Sequence, residues 1–422
     1  MNMFAFAVKV ILVLILVFLI EFYFVKKVIW STKTLFPKVS DKKIKFWKQL
    51  GLTILNLFPI SVIILMAYFY FTNNYEFALP ENTFYDYLIL YPFWLGTIII
   101  VQSILIFLLI DFLKILFFPF YKKVKQKLQK SEAKLFFIIL LLSVIYVPAR
   151  IVYDYKSVDI RNVTFHKPDL PKSLDGLKIA LISDLQADRY TDYNRLENFI
   201  KKVNKQKPDL ILIAGDIITH SPKYINLAAQ EVGKLKAKYG VYTCVGDHDN
   251  WAYRLDNKRS VKEVTEALAK ENVPMLDNKI LYFKIGTAKI KISFVTNTYV
   301  GKVKESILDS LTSNKIKADF NIFLTHQPRK RLIQKAVEQN YDLYFCGHTH
   351  GGQITFLFPF YNLSPTMAET FYLKGDFWFK KKDQNKKGLL MIVTGGLGMS
   401  LAPIRYNSTP EITIITVRKS VN

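Results

Sequence analysis

Four of the chain's six histidines stand at the ends of short apolar runs, beside glycine, aspartate or threonine: His248, His326, His348 and His350. In the stretch YDLYFCGHTHGGQ, the apolar run at 343–346 predicts a short buried strand, and two histidines follow it one residue apart. Histidine is the commonest metal ligand near neutral pH. One such histidine is readily explained as a core residue, but four at strand ends indicate a metal site.

Carboxylates follow the other apolar runs in the same way. Asp184 comes after LKIALIS, and Asp216 ends LILIAGD. The segment VGDHDN places Asp247 and Asp249 on either side of His248. Asp184 or Asp216 alone is equally well explained as the N-cap of a helix that follows a strand. Together, the five segments predict side chains that project from strand ends into one cleft, as a preorganised metal site requires.

The elements that must position these residues form an α/β pattern after residue 154. Short apolar runs alternate with amphipathic, Lys-rich segments, of which 193–205, 224–238 and 261–271 are predicted helices. Loops at the carboxyl ends of strands are where open α/β sheets form their sites. Residues 154–422 are therefore predicted to be one α/β domain. The two cysteines have no metal-binding or disulfide spacing and are expected to be inert core residues: Cys244 and Cys346.

The first 153 residues have a different character and are predicted to be a transmembrane region. The whole chain is 51% hydrophobic, and its apolar residues are concentrated before about residue 155. A helix needs about 20 apolar residues to cross a bilayer. Four spans are predicted: Phe4–Val25, Leu50–Phe71, Leu88–Leu113 and, with the weakest pattern, Leu135–Val147.

The loops between these spans predict the orientation. The loops that precede the second and fourth spans are rich in lysine, whereas residues 72–87 contain no Lys or Arg. Basic loops stay in the cytoplasm. The C-terminal domain is therefore expected outside the cytoplasm, in a multi-pass protein of a bacterial plasma membrane. Charged residues are few within the spans, which favours an anchor over a transporter.

The ordered segments of the C-terminal domain resemble the calcineurin-like metallophosphoesterases, whose motifs run D-x-H, G-D, G-N-H-D/E, H and G-H-x-H. The resemblance covers about residues 175–418, and the tail VTGGLGMSLAPIRYNSTPEITIITV is similar to a membrane-associated bacterial branch. It implies a four-layer α/β/β/α sandwich with two metals at the sheet edges. It also implies a phosphohydrolase in which a two-metal-activated hydroxide attacks a phosphate ester.

The same resemblance implies a role for each residue of the five segments. One metal would be bound by Asp184, Gln186, Asp216 and His350, and the other by Asp216, Asp247, His326 and His348. His248 would assist the leaving group, and Asp249 would orient it. Arg189, Trp251 and Arg405 are weaker candidates for substrate contact, because solvated loop positions or a structural ion pair explain them as well.

Two positions depart from the family pattern and bear on the metal. Gln186 stands where histidine is usual, and Asp247 stands where asparagine is usual. Both changes make the site richer in oxygen, and oxygen ligands suit Mn²⁺ or Mg²⁺ better than metals that prefer nitrogen. The expected cofactor is two divalent ions, with Mn²⁺ first and Mg²⁺, Fe and Zn as alternatives.

Several functions fit a basic, membrane-anchored chain with a net charge of +24. The first is hydrolysis of a phosphorylated substrate. The second is cleavage of a phosphodiester or pyrophosphate in a phospholipid or a nucleotide-linked lipid, since the aromatic run ITFLFPFY directly follows the GHTHGG motif. The third is a non-catalytic ectodomain that binds a phosphate ligand. No nucleic-acid partner is expected, because no basic-aromatic binding stretch stands out. The sequence leaves the oligomeric state open.

Overall fold

The computed structural model describes residues 3–72, 79–313, 315–380 and 388–420, with the side chains of 3–11, 13 and 14 excepted. The chain forms two compact units. The helical unit comprises Met1–Val152 together with Phe356–Leu363. The α/β unit comprises Tyr153–Thr355 and Ser364–Asn422. A short segment from the C-terminal half of the sequence thus groups with the N-terminal helices.

The helical unit is built from long helices. These are α1 (Met3–Leu35), α2 (Asp41–Phe71), the short α3 (Thr83–Tyr85), α4 (Tyr91–Leu116) and α5 (Phe118–Lys156). A π-helical turn joins α3 to α4, so that Thr83–Leu116 is one continuous segment. Among the described residues, three helices are long and apolar enough to cross a membrane: α2, Thr83–Leu116 and α5. The predicted first span falls partly on side chains outside the description and stays a prediction.

The basic segments between the predicted spans are themselves largely helical. After α4 only Phe117 separates the two helices, and α5 begins at Phe118, well before the predicted span at residue 135. Lysine is a good helix former, so a Lys-rich segment does not end a helix. The apolar pattern therefore located the spans but not the helix boundaries.

Several charged side chains of the helical unit have polar partners. Asp111 lies 2.6 Å from the amines of both Lys27 and Lys114, and Lys114 also pairs with Glu132. Glu21 is buried and accepts a hydrogen bond of 3.0 Å from the Asn56 amide. Charges in an apolar setting are stable only when they are paired.

Two six-stranded sheets form the centre of the α/β unit. The first has the order β1-β12-β2-β3-β4-β5 and the second the order β10-β11-β9-β8-β7-β6. The strands are β1 (Asp159–Lys167), β2 (Lys178–Ile182), β3 (Leu210–Ile213), β4 (Val241–Cys244), β5 (Met275–Leu276), β6 (Lys279–Ile285), β7 (Ala288–Val295), β8 (Phe320–Thr325), β9 (Leu343–Cys346), β10 (Gly375–Phe379), β11 (Leu389–Val393) and β12 (Glu411–Lys419). Each sheet mixes parallel and antiparallel neighbours.

Helices cover the outer faces of both sheets. They are α6 (Tyr193–Lys205), α7 (Ile225–Val232), α8 (Asn257–Lys270), α9 (Glu305–Thr312) and α10 (Lys330–Glu338). One apolar core lies between the first sheet and α6–α8, and another lies between the second sheet and the helices α9 and α10. The third core lies between the two sheets, where Leu212 faces residues such as Ile292 and Phe345. The predicted four-layer α/β/β/α sandwich is confirmed.

This topology fixes where the polar residues lie. Strands β2, β3 and β4 are parallel neighbours, as are β8 and β9 in the other sheet. The carboxyl ends of parallel strands meet at one edge of a sheet. Residues that follow each of these five strands are therefore placed close to one another.

Candidate metal centre

The structure brings together the residues that follow these five strands. Asp184 and Gln186 follow β2, Asp216 follows β3, and Asp247, His248 and Asp249 follow β4. His326 follows β8, and His348 and His350 follow β9. Two groups of side chains are close enough to bind metal ions, with ligand atoms all within 4.8 Å of one another. The groups are Asp247, His326 and His348, and Asp184, Asp216 and His326.

The first group is centred on the Asp247 carboxylate. Its Oδ2 lies 3.0 Å from His348 Nδ1 and 3.4 Å from His326 Nε2. The two ring nitrogens are themselves 3.3 Å apart. Asp247 Oδ1 accepts a 2.7 Å hydrogen bond from the Tyr299 amide. Three donor atoms therefore converge from both sheets, which is the arrangement that a single cation would bind.

The second group extends from the same histidine towards β2. Asp216 Oδ2 lies 3.3 Å from His326 Nε2 and accepts a 2.8 Å hydrogen bond from the Gln186 side chain. His350 Nε2 lies 3.4 Å from Asp184 Oδ1. The Asp216 carboxylate thus lies between the Gln186 side and the His326 side of the site, where the resemblance implies a bridging ligand.

Unusual backbone conformations accompany these ligands. The residues with positive φ include five of the candidates: Asp184 at 52°, Gln186 at 51°, Asp216 at 58°, His348 at 74° and His350 at 50°. A side chain with a Cβ rarely adopts this region, and each case costs of order 1–3 kcal/mol. Gly347 allows the chain to turn beside them, since a Cβ there would approach Ser183 Oγ to 1.9 Å. Such strain is concentrated at functional sites because it aims side chains that a regular strand cannot.

Two buried oxygens test whether the residues fit a metal. Asp184 Oδ1 and Gln186 Oε1 have no hydrogen-bond partner among the described residues, and both side chains are fully buried. A buried acceptor without a partner costs about 1–3 kcal/mol. A divalent cation coordinated by both oxygens would remove that cost. The donor set of carboxylate, amide and imidazole groups therefore fits a divalent ion.

The carboxylates of the site favour positive charge on the groups that lie between them. Burial alone would lower the pKa of His326, but the charge and hydrogen bonds of Asp216 and Asp247 raise that pKa well above its ordinary value. Burial would also lower the pKa of His348, but hydrogen bonds to Asp247 and Glu369 raise it to about 8. Burial lowers the pKa of His350 to about 4, although Asp184 acts in the other direction. Without metal, protons on His326 and His348 balance the carboxylates.

Metal binding is therefore expected to release protons. His348 has a pKa of about 8 without metal, so it is protonated below that pH and must lose its proton to coordinate. Affinity should rise as the pH increases through about 8, and it should keep rising above that pH because the raised pKa of His326 makes this ligand lose its proton as well. Calorimetric titration of the metal-free protein in buffers of different ionisation enthalpy measures the protons released. Equal heats in all buffers at neutral pH would contradict the expectation.

His248 lies beside the ligands and does not belong to either group. Its Nδ1 lies 2.6 Å from the Thr219 carbonyl oxygen, to which it donates, and its amide donates to Asp216 Oδ1 at 2.8 Å. Its Nε2 lies 3.0 Å from Ser400 Oγ. The Trp251 ring packs against the imidazole at a centroid distance of 4.6 Å. These contacts fix the ring and leave Nε2 as the nitrogen that can exchange a proton.

Asp249 was expected to orient the His248 ring, and this role stays a prediction. The buried Asp249 carboxylate accepts hydrogen bonds from three backbone amides, those of Asp216, Ile217 and Gly246, at 2.8–3.0 Å. Burial, together with the charge of Asp216, raises the pKa of Asp249 to about 6. Asp249 thus stabilises the turn that carries Asp216, and the His248 ring is hydrogen-bonded to the Thr219 carbonyl oxygen.

The three candidates for substrate contact lie in different settings. Arg189 stacks on Tyr190, with the guanidinium carbon 4.7 Å from the ring centroid. Trp251 packs on His248 as described. Arg405 is buried: its guanidinium donates to the carbonyl oxygens of Gly395, Gly398 and Ser408 and lies 3.2 Å from His350 Nδ1. Arg405 therefore supports His350 and the Gly-rich tail, and its contact with substrate stays a prediction.

Sequence reasoning missed a carboxylate that contacts a candidate ligand. Glu369 Oε1 lies 3.2 Å from His348 Nε2, on the side of the ring opposite to Asp247. Glu369 also accepts a 2.6 Å hydrogen bond from the Tyr299 hydroxyl and pairs with Arg329. Carboxylates that hold the far nitrogen of a metal-ligating histidine fix its orientation and strengthen it as a ligand. No motif surrounds Glu369, so only its position in the fold identifies it.

Comparison with known proteins agrees with this site. Residues 177–352 match the family model described as calcineurin-like phosphoesterase. The chain is 27% identical over 288 residues to an uncharacterized metallophosphoesterase of Campylobacter jejuni, with 66% of this chain and 68% of the relative covered. It is 29% identical over 255 residues to the uncharacterized metallophosphoesterase YkuE of Bacillus subtilis, with 60% and 82% covered. The chain therefore carries a calcineurin-like metallophosphoesterase domain, and its relatives are named as metallophosphoesterases.

A further relative also joins such a domain to a membrane. The chain is 26% identical over 259 residues to a transmembrane protein with metallophosphoesterase domain from Danio rerio, covering 60% of this chain and 55% of the relative. The chain thus spans about half the length of that relative. Together with the apolar helices, this likeness indicates a membrane protein. A solved dimetal phosphatase from Danio rerio matches 57% of this chain and 99% of its own at 11% identity, with a TM-score of 0.37, which supports no conclusion.

Proposed function

We propose that the chain is a membrane-anchored phosphohydrolase that uses two divalent metal ions. The observation that carries this proposal is the pair of metal-ligating groups that share His326, one on each side of it. One ion would be held by Asp184, Gln186, Asp216 and His350, and the other by Asp216, Asp247, His326 and His348. The buried, unpartnered oxygens of Asp184 and Gln186 support the first of these sets.

Each residue around the ions would contribute a defined part of the chemistry. When bound, two divalent ions supply a hydroxide nucleophile at neutral pH and neutralise charge on the phosphate ester. Asp216 would hold the ions together from its central position. Glu369 would hold the His348 ring in place through its 3.2 Å contact. The φ strain of the ligands keeps their side chains aimed at the site before any substrate arrives.

His248 would protonate the leaving group. The Thr219 carbonyl oxygen accepts a hydrogen bond from His248 Nδ1, so the second proton of the charged ring is on Nε2, which lies 3.0 Å from Ser400 Oγ. A leaving oxygen in that position would receive the proton. Proton transfer of this kind contributes about 10²–10⁴-fold to the rate. Arg189 and Trp251 remain proposed substrate contacts at the edge of the site.

Mn²⁺ is the proposed metal, because the donor set is rich in oxygen. Gln186 offers an amide oxygen where an imidazole would favour Zn or Fe, and Asp247 offers a charged oxygen. Replacing Gln186 with His is expected to shift selectivity from Mn²⁺ towards Zn²⁺. Metal analysis of the two proteins, each reconstituted in a mixture of both ions, measures the shift. An unchanged metal ratio would contradict the proposed role of Gln186.

The experiment that tests the function uses the full chain in detergent or nanodiscs. Hydrolysis of p-nitrophenyl phosphate and of bis(p-nitrophenyl) phosphate is measured with Mn²⁺, Mg²⁺ or Zn²⁺, and after chelation. We expect metal-dependent turnover, and the preferred ester separates a monoesterase from a phosphodiesterase or pyrophosphatase. A protein that binds metal yet hydrolyses neither ester would instead be a non-catalytic ectodomain that binds a phosphate ligand.

The α/β domain is proposed to face the outside of a bacterial plasma membrane. The support is the contrast between the two Lys-rich loops and the loop at 72–87, which has no Lys or Arg. In intact spheroplasts, an added protease should cleave the α/β domain. Protection of the domain until the membrane is broken would reverse this orientation.

A further inference from the structure

The segment Phe356–Leu363 forms a hairpin that belongs to the helical unit, although the α/β unit flanks it on both sides in sequence. Phe356 and Leu363 pair as an antiparallel bridge and exchange backbone hydrogen bonds of 2.7 and 2.9 Å. Its sequence, FLFPFYNL, contains no charge and only two side chains with polar atoms, those of Tyr361 and Asn362. We call this segment the aromatic hairpin.

A polar side chain of α4 anchors the aromatic hairpin. Gln102 donates from Nε2 to the Leu357 carbonyl oxygen at 2.9 Å and accepts from the Leu357 amide at Oε1, also at 2.9 Å. Gln102 is buried, as are Ile98, Ile100 and Ile104 of the same helix. In such apolar surroundings, unpaired amide groups of the glutamine and of the hairpin would cost several kcal/mol. The two bonds satisfy all four groups at once.

The anchor lies at the middle of a membrane-spanning helix. α4 runs from Tyr91 to Leu116, so Gln102 is about 17 Å from one end and about 21 Å from the other at 1.5 Å per residue. The hydrocarbon core of a bilayer is about 30 Å thick. Non-helical backbone is stable at such depth only where protein groups satisfy it. The two hydrogen bonds from the Gln102 side chain satisfy the hairpin backbone in this way.

The exposed side chains of the aromatic hairpin also suit lipid. Leu357 is 40% exposed, Tyr361 is 56% exposed and Phe360 is entirely exposed. Phe360 has a φ of 71°, so the turn presents its ring at the cost of backbone strain. An uncharged turn that exposes aromatic side chains is unfavourable in water. Aromatic residues of this kind are stable among lipid headgroups and acyl chains.

The chain connects the aromatic hairpin directly to the candidate metal centre. Only five residues separate His350 from Phe356. Between them, Gln353 donates to the carbonyl oxygens of Ser400 and Ala402 at 2.8 and 2.9 Å. Ser400 is the residue whose hydroxyl lies 3.0 Å from His248 Nε2. The residues that precede the aromatic hairpin in the chain are therefore hydrogen-bonded to the residue that contacts the proposed acid.

We propose that the aromatic hairpin is embedded in the bilayer and that the metal centre acts on phosphate esters carried by membrane lipids. This inference rests on the proposed phosphohydrolase function and names its substrate class. The lipid would stay in the membrane while its phosphate group reaches the metal ligands. Hydrolysis adds water across the P–O bond, so the ester oxygen leaves with a proton and the phosphate keeps the hydroxyl oxygen.

Insertion is tested first, without reference to activity. Cys244 and Cys346 are fully buried, so Phe360→Cys provides a single reactive thiol for a bimane label in nanodiscs. Lipids with a nitroxide on the acyl chain should remove most of the label's fluorescence. The matched control is Ile307→Cys on α9, which is 40% exposed and should keep its fluorescence. Equal quenching at both positions, or none at Phe360→Cys, would overturn the inference.

The substrate class is tested by comparing phosphate monoesters and diesters of membrane lipids with soluble phosphate monoesters and diesters. Phosphatidic acid and phosphatidylglycerol in nanodiscs are compared with glycerol 3-phosphate and bis(p-nitrophenyl) phosphate in solution. Phe360→Ser is expected to lower kcat/KM for the hydrolysed lipid about tenfold or more, because it removes the aromatic side chain that would insert into the bilayer, and to leave the soluble esters unchanged. Ile307→Ser is the control and should change neither.

The outcomes separate this inference from the function on which it rests. Metal-dependent turnover of soluble esters but of neither lipid would overturn the lipid inference alone. An equal loss for lipid and soluble esters in Phe360→Ser would overturn it too, because the hairpin would then act on the site in general. The absence of metal-dependent turnover of every ester would overturn the proposed function itself.

Discussion

Replacing Asp216 with Asn is expected to lower kcat/KM for phosphate esters at least about 10³-fold, because the central charged ligand is lost. Asp216 Oδ2 contacts both His326 and Gln186, and Oδ1 accepts the His248 amide. Asparagine keeps the shape of the side chain but carries no charge to hold two cations. Metal analysis of the purified variant should show that bound metal falls along with activity.

The matched control is Asp169→Asn, which removes a carboxylate that is 81% exposed and pairs only loosely with Lys167 at 3.9 Å. Both activity and metal content should stay at the level of the unaltered protein in this variant. If Asp216→Asn kept its metal and lost less than about tenfold in kcat/KM, the ligand assignment would fail.

The second large effect is expected at His248. His248→Gln should lower kcat by about 10²–10⁴-fold for an alkyl phosphate ester, whose leaving oxygen needs a proton. The loss should be much smaller for p-nitrophenyl phosphate, because p-nitrophenolate leaves without one. This contrast distinguishes an acid from a residue that only supports the fold. Metal content should not change, since His248 belongs to neither metal-ligating group.

His166→Gln provides the matched control for that experiment. His166 lies on strand β1, away from the ends of the strands that carry the site, and its side chain is exposed. Its substitution should leave both leaving groups unaffected. If His248→Gln lowered kcat equally for both esters, His248 would instead bind the phosphate group or stabilise the bound substrate.

The site residues were well marked in the sequence, for a physical reason. A buried strand appears in the sequence as an apolar run. Burial of an unpaired polar group is costly, so a polar residue directly after such a run indicates a specific role. That is why Asp184, Asp216 and His326 were identified from the runs that precede them. Glu369 follows no such run, so nothing local marked it as the partner of His348.

Edge elements and helix boundaries were harder to predict. Strands β1 and β10 lie at the edges of their sheets, and their alternating exposure gives a weak apolar pattern. Helix α6 ends where the prediction placed it, whereas α7 ends at Val232 before Gly233, six residues earlier than expected. Glycine destabilises a helix but does not by itself mark its end. The Lys-rich residues after Gly233 still fit an amphipathic pattern, so the predicted helix was too long.

The role of Asp249 shows why some contacts cannot be read from a motif. In the sequence Asp249 is next to His248, and a neighbour is the obvious partner. In the structure the chain turns at this point, and the carboxylate reaches the amides of the turn after β3. Hydrogen bonds between different strand ends depend on the packing of the sheet, which is not encoded in local spacing.

The sequence by itself determined the α/β class and marked the candidate metal-binding side chains, because hydrophobic periodicity and residue chemistry are local properties. Only the tertiary structure decided which of these side chains meet, and how Glu369, Thr219 and Ser400 complete the site. It also decided that Phe356–Leu363 groups with the membrane helices through Gln102. These pairings join residues that are distant along the chain, and they exist only once both sheets and the helices have packed.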